Sequence, residues 1–183
     1  MTDTLKANTV TRDDRVKVWD PAVRVFHWSL VAAFAVAYFI VDGNRDIHEW
    51  AGYVALGLLA FRLVWGVIGS RHARFSDFVP RPAELSGYVR QMIRGREPRY
   101  MGHNPAAAIM ILFLLLAVGV IGFSGWLLTT DWGWGSEVLE EMHEMSVNVT
   151  LVAIALHVAG AIYESIHHQE NLIRAMFTGY KRR

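Results

Sequence analysis

Four apolar stretches constrain this chain more than anything else in it. They run from Val25 to Val41, Trp50 to Gly69, Pro105 to Leu128 and Val147 to Tyr163. Each approaches the ~20 residues a helix needs to cross ~30 Å of hydrocarbon. The first, third and fourth carry no Asp, Glu, Lys or Arg, and the second carries only Arg62. In lipid, backbone groups must pair within the segment, so these stretches are expected to be helices. The first is not a secretory leader: it is too long, follows a polar segment of 24 residues, and lacks a small-residue cleavage site after it. The expected fold class is an all-α membrane protein, a four-transmembrane-helix bundle in one domain over 1–183. A flexible tail is expected over 1–18 and a cytoplasmic loop over 69–104.

Composition agrees. Of 183 residues, 53% are hydrophobic and 19% charged, against ~25% charged in soluble domains. The absence of cysteine excludes disulfides, thiolate metal sites, iron–sulfur clusters and covalently attached c-type haem. No feature points to nucleic acid, and a net charge of +1 argues for no partner.

The placement of charge fixes an expected orientation. Lys6, Arg12, Arg15, Lys17 and Arg24 precede the first span. Arg71, Arg74, Arg81, Arg90, Arg94, Arg96 and Arg99 lie between the second and third, and Arg174, Lys181, Arg182 and Arg183 follow the fourth. Only Arg45 lies on the other side. The positive-inside rule therefore predicts an N-in/C-in protein, with both termini in the cytoplasm. Trp50, Trp126, Trp132 and Trp134 gather at the expected outer ends, like an aromatic belt.

Local signals set the helix ends. Asp20-Pro21 and Asn104-Pro105 read as N-cap and first helical residue, and Ser136 precedes a run of acids suited to a helix start. Between the second and third spans, Leu85, Tyr88, Val89, Met92 and Ile93 follow helical spacing from Pro82 to Arg94, which predicts a short amphipathic helix on the cytoplasmic leaflet.

The chemistry lies in the histidines. His27 is low in the first span, His48 high at the start of the second, and His143 and His157 share the fourth. Fourteen residues separate the last two, ~21 Å along an axis, and fourteen steps of ~100° return close to the same face. Depth then pairs His27 with His157 on the inner side and His48 with His143 on the outer side. Each pair can fill both axial positions of a haem iron, and without cysteine the cofactor would be haem b, two per chain. A membrane histidine can also be a simple packing residue.

Gly52 and Gly160 follow His48 and His157 by four and three residues, where a porphyrin would lie. They read equally as close-packing glycines, as do Gly119, Gly122 and Gly125. Arg62, fourteen residues after His48, falls at the depth of the inner pair. A haem propionate is the expected counter-ion, with Glu164 or snorkelling as the other readings. His72, His103, His167 and His168 lie at the cytoplasmic boundary. His103 reads as part of a helix start and His167-His168 as solvated interface, and His72 could meet a propionate or a quinone headgroup.

Trp19-Asp20-Pro21, Arg24-Val25-Phe26-His27-Trp28, His48-Glu49-Trp50-Ala51-Gly52, Arg71-His72-Ala73-Arg74-Phe75, Gly102-His103-Asn104-Pro105 and the His143/His157 pair occur here in order. Together they resemble the bacterial cytochrome b561 family, which is related to the b-type cytochrome subunits of nickel–iron hydrogenases. The resemblance begins near Val16 and covers nearly all the rest. It implies a four-helix di-haem cytochrome that exchanges electrons with the quinone pool, ubiquinone or menaquinone, and it carries the ligand role to His27, His48, His143 and His157.

The outer rim is acidic, with Asp42, Asp46, Glu49, Asp131, Glu137, Glu140, Glu141 and Glu144 against Arg45. Such a field suits a basic periplasmic redox protein such as a c-type cytochrome, and repels anions. The expected function is electron carriage between quinone and that partner. A superoxide:quinone oxidoreductase, a hydrogenase membrane subunit, and a non-redox metal transporter or anchor are the alternatives. The quinone is expected near Arg71 to Phe75 or near Trp132 and Trp134. Lipid-facing apolar surface also suits a homodimer.

Overall fold

Each apolar stretch forms a helix over nearly all of its described residues: the third coincides with its helix, and the other three helices begin four to ten residues before the stretch that announced them. The computed structural model describes residues 15–40 and 43–183. In chain order it has β1 (Arg15–Lys17), α1 (Pro21–Ile40), α2 (Arg45–Ile68), a 3-10 turn (Arg71–Ala73), α3 (Phe75–Phe78), α4 (Pro82–Ile93), α5 (Pro105–Leu128), α6 (Glu137–His167), α7 (Leu172–Thr178) and β2 (Tyr180–Arg182). Val41 and Asp42 lie outside the described residues. Among the described residues, α1, α2, α5 and α6 are long and apolar enough to cross a membrane.

The expected caps are the ones used. Asp20 accepts from the Val23 amide at 2.9 Å, Asn104 from Ala107 at 2.7 Å, and Ser136 from Leu139 at 3.4 Å. Asn44 does the same for α2, accepting from Ile47 at 3.1 Å. Each satisfies an amide that the first turn of a helix leaves open.

The spans pack in a row, α1 on α2, α2 on α5 and α5 on α6. Phe26, Leu59 and Leu115, one from each of the first three, form the central apolar cluster, with Leu30, Leu58, Phe75 and Ile111 around it. Helix α6 buries only Thr150 and Ala153. Its contact is with α5, and no comparable seam joins it to α1 or α2. Glycines close the α2–α5 seam: a Cβ at Gly122 would run into the Leu56 side chain, and one at Gly119 would stand 3.3 Å from Leu59. These two are packing glycines.

The basic end carries more structure than a tail and a loop. Of the tail expected over 1–18, residues 1–14 lie outside the described residues. Arg15–Lys17 pair antiparallel with Tyr180–Arg182, and Val18 and Trp19 are buried against Ala175. The cause is Gly179, left-handed at φ +88, whose carbonyl accepts from Val18 at 2.9 Å and Trp19 at 3.1 Å. Arg24, in the first turn of α1, donates to the Met176 and Phe177 carbonyls and so satisfies the last turn of α7. Helix α4 forms as expected. It packs on α5 with Tyr88 buried and Ile93 exposed.

Candidate functional site

Of the four expected histidines, two face each other at the acidic end. At the acidic end, His48 comes from the first turn of α2 and His143 from the second turn of α6. Their ring centroids lie 6.1 Å apart at 68° between planes. His48 Nδ1 is 2.9 Å from the Ala37 carbonyl of α1. His143 Nδ1 is 3.1 Å from both the Ile121 carbonyl and Ser124 Oγ of α5. Each ring thus has its Nδ1 engaged and its Nε2 left for another partner. A backbone carbonyl on the distal nitrogen is the usual way a metal-binding imidazole is oriented. Two imidazoles that share one metal at ~2.0 Å have centroids about 6 Å apart. The pair fits such a role without movement of the backbone.

At the basic end the second pair comes from α1 and α6. His27 Nδ1 is buried with no hydrogen-bond partner, and so is Trp28 Nε1 beside it. His157 of α6 is near His27. Arg62 of α2 is 3% exposed, so it does not snorkel. Its guanidinium stacks on Phe75 at 4.9 Å and Phe78 at 5.9 Å, and NH1 has no partner. Glu164 is not its counter-ion, being engaged by Tyr88 at 2.7 Å and paired with His168 at 3.2 Å. Phe75 reaches Arg62 because Gly66 has no side chain to obstruct its ring.

His103 belongs to this end and is more than part of a helix start. It is held between Trp19 at 4.5 Å and Phe78 at 4.8 Å, with Nδ1 buried and unpaired. Burial pushes its pKa down to about 3, helped by the charges of Arg62 and Lys181 and by His72 and His157. It is a neutral imidazole. Four buried polar atoms, on His27, Trp28, Arg62 and His103, have no hydrogen-bond partner in the chain.

Gly52 and Gly160 have nothing within 4 Å of where a Cβ would stand, whereas Gly125 leaves 3.1 Å to the His143 ring. The first two border open space and the third makes room for an imidazole. Ser124 was legible only as a polar residue in an apolar run. Its contact with His143 depends on the α5–α6 register, which sequence does not give.

His72 pairs with Asp77 at 3.0 Å. His167 and His168 are not simply solvated: they face Glu97 and Glu164. At the opposite end Trp50, Trp126, Trp132 and Trp134 are all exposed. Arg45 pairs with Glu49 at 2.7 Å and stacks over Trp134 at 4.7 Å, so its charge is locally met and the described rim stays acidic.

Comparisons with known proteins give the family. A family model described as prokaryotic cytochrome b561 matches residues 18–179. The chain is 23% identical to a protein of Rhodobacter capsulatus named probable Ni/Fe-hydrogenase B-type cytochrome subunit, covering 94% of this chain and 84% of that one. It is 26% identical to the protein of that name from Cupriavidus necator, over 90% and 86% of the two chains. For the Azotobacter vinelandii protein the identity is 27%, over 94% and 90%. No solved structure matches.

Proposed function

We infer the function from one premise: this chain belongs to the prokaryotic cytochrome b561 family. It is a membrane b-type cytochrome in electron transfer. Within that frame we propose two haems b per chain, each held by a bis-histidine pair, His27 with His157 and His48 with His143. The apposition of His48 and His143 across 6.1 Å, each with its Nδ1 engaged by a backbone carbonyl or hydroxyl, carries the reading. The open space at Gly52 and Gly160 and the unpaired NH1 of buried Arg62 support it, the latter as a donor to a propionate.

Haem b held by these residues would supply one-electron chemistry. The protein's part is to hold and to insulate. Ala37, Ile121 and Ser124 fix two imidazoles. Arg62 and neutral His103 line the basic end. The packed Phe26, Leu59 and Leu115 cluster stands between α1, α2 and α5 and keeps water out of that part of the bundle. With His143 and His157 ~21 Å apart on one helix, the two pairs define a path across the membrane.

The sixteen basic residues that the sequence gathers on one side of the spans support a reading with both termini in the cytoplasm of a bacterial inner-membrane protein. Quinone is the partner within the membrane. The acidic rim, with Arg45 met by Glu49 and Trp134, suits a basic periplasmic protein such as a c-type cytochrome. It disfavours superoxide. The relatives' names favour a second reading, in which a hydrogenase docks and donates electrons.

A reduced-minus-oxidised spectrum with haem quantified per chain tests the proposal. Two haems b are expected. A single haem would make one pair structural, and none, in protein made with ample haem, would remove the reading.

A further inference from the structure

Where α6 ends, its last turn and the segment after α4 bring together a second set of ligand-type groups. Glu97, His167 and His168 each present one ligand atom, and these atoms lie within 4.8 Å of one another. His167 Nε2 is 3.4 Å from Glu97 Oε1, and His168 Nε2 is 3.2 Å from Glu164 Oε2. Tetrahedral ligands ~2.1 Å from a metal stand about 3.4 Å apart, so two edges of such a polyhedron are already formed.

Two further observations favour a bound ion over a set of ion pairs. Glu97 is 5% exposed, and its Oε2 is buried without a partner although Oε1 accepts from Tyr163 at 2.8 Å. His168 Nε2 is buried and also without a hydrogen bond, its approach to Glu164 being misaligned for one. Direct pairing thus leaves two orphaned ligand atoms, which one cation would satisfy. The two carboxylates supply a double negative charge, matching a dication. His167 is exposed and gives a route in.

We propose that Glu97, His167 and His168 bind one first-row divalent transition-metal ion of the zinc class, with Glu164 as a fourth or supporting carboxylate. The nitrogen–oxygen donor set suits zinc and its neighbours over calcium or magnesium. The ion would clamp the segment after α4 to the end of α6, ten residues or ~15 Å along the axis from His157.

The test uses the full chain in detergent, loaded with haem, stripped with a chelator and titrated with Zn²⁺ alone against a chromophoric competitor. Zinc has no visible spectrum, so the haem bands remain an independent report of folding. One zinc per chain is expected. Glu97→Gln and His168→Ala should each weaken binding at least tenfold, and the double variant at least a hundredfold, with haem content unchanged. Zinc should raise the unfolding temperature of the parent and not of the double variant. His72→Ala, at the separate His72–Asp77 pair, should bind zinc as the parent does. Equal affinity in parent and double variant, loss confined to His72→Ala, or binding weaker than millimolar would overturn the proposal.

Discussion

His48 and His143 face each other from α2 and α6 with ring centroids 6.1 Å apart, and neither ring is free to turn. A carbonyl of α1 holds the first, and a carbonyl and a hydroxyl of α5 hold the second. All four spans therefore meet at this one pair. Helix α5 supplies no histidine to it, yet it decides where His143 points.

Ser124→Ala tests that control. The hydroxyl is fully buried and 3.1 Å from His143 Nδ1. Its loss should leave a less basic imidazole, because an acceptor on the distal nitrogen raises ligand basicity. One of two haem midpoint potentials should then rise, by up to about 60 mV, the one-electron equivalent of a tenfold change. The Ile121 carbonyl remains as an acceptor, so a smaller rise is in keeping. Redox titration gives the answer. Two unmoved potentials would separate Ser124 from the cofactor.

Removal of one imidazole from each pair should have separable effects. His143→Ala and His157→Ala should each retain about one haem per chain, and the double variant none. The retained haems should differ in potential, since the two surroundings differ. Pyridine haemochrome counts with redox titrations read this directly. Full haem content in either single variant would break the pairing.

Arg62 should matter to one site only. It is buried with an unpaired NH1, and among the described residues no carboxylate reaches it with a hydrogen bond. A charge-assisted hydrogen bond contributes about 1.5–3 kcal/mol, so Arg62→Leu should weaken retention of the His27/His157 haem roughly 10- to 100-fold. Arg62→Lys should recover part of that, without the planar fork. Haem transfer to an apo-acceptor measures the loss. Unchanged retention in Arg62→Leu would assign Arg62 to stacking on Phe75 and Phe78 alone.

The spans, the caps and the histidine set were legible because each rests on local spacing: apolar length, Asp-Pro or Asn-Pro at a start, fourteen residues between two imidazoles. Two things were not. The pairing of Arg15–Lys17 with Tyr180–Arg182 joins residues at opposite ends of the chain, and three-residue strands leave no periodicity to detect. The surroundings of His103, His167 and His168 depend on which loop folds over which helix. A histidine beside an aspartate or glutamate in space reads in sequence as an isolated surface residue. Glycines were ambiguous for a related reason, since Gly52 and Gly122 look alike until their neighbours are known.

The glycines supply a contrast that sequence could not. Gly52 and Gly160 border open space, while Gly122 abuts Leu56. Gly160→Leu should displace the haem of His157 and Gly52→Leu that of His48, each with the other haem and the fold retained. Gly122→Leu should lower stability and both haems together, as overpacking costs about 1–3 kcal/mol. Haem counts beside size-exclusion profiles separate the cases. Retention of both haems in Gly52→Leu and Gly160→Leu would make that space lipid-facing only.

Asp20 gives the bundle an acid-sensitive joint. Its carboxylate caps α1 through the Val23 amide and accepts from Trp65 Nε1 at 3.3 Å and from Ser70 Oγ, tying the start of α1 to the end of α2. Burial alone would raise its pKa. The hydrogen bonds from Ser70, Val23 and Trp65 outweigh that and hold it below the usual carboxylate range. A depressed folded-state pKa means stability that is complete above the unfolded value of about 3.9 and is lost as pH falls through the folded one. Asp20→Asn keeps a capping oxygen but no charge. It should therefore unfold at a somewhat lower temperature than the parent near neutral pH. The gap should close as pH drops below about 4. Unfolding temperatures followed by loss of the haem band from pH 7 to 3 test this. A gap that stays constant over that range would mean the charge on Asp20 contributes nothing.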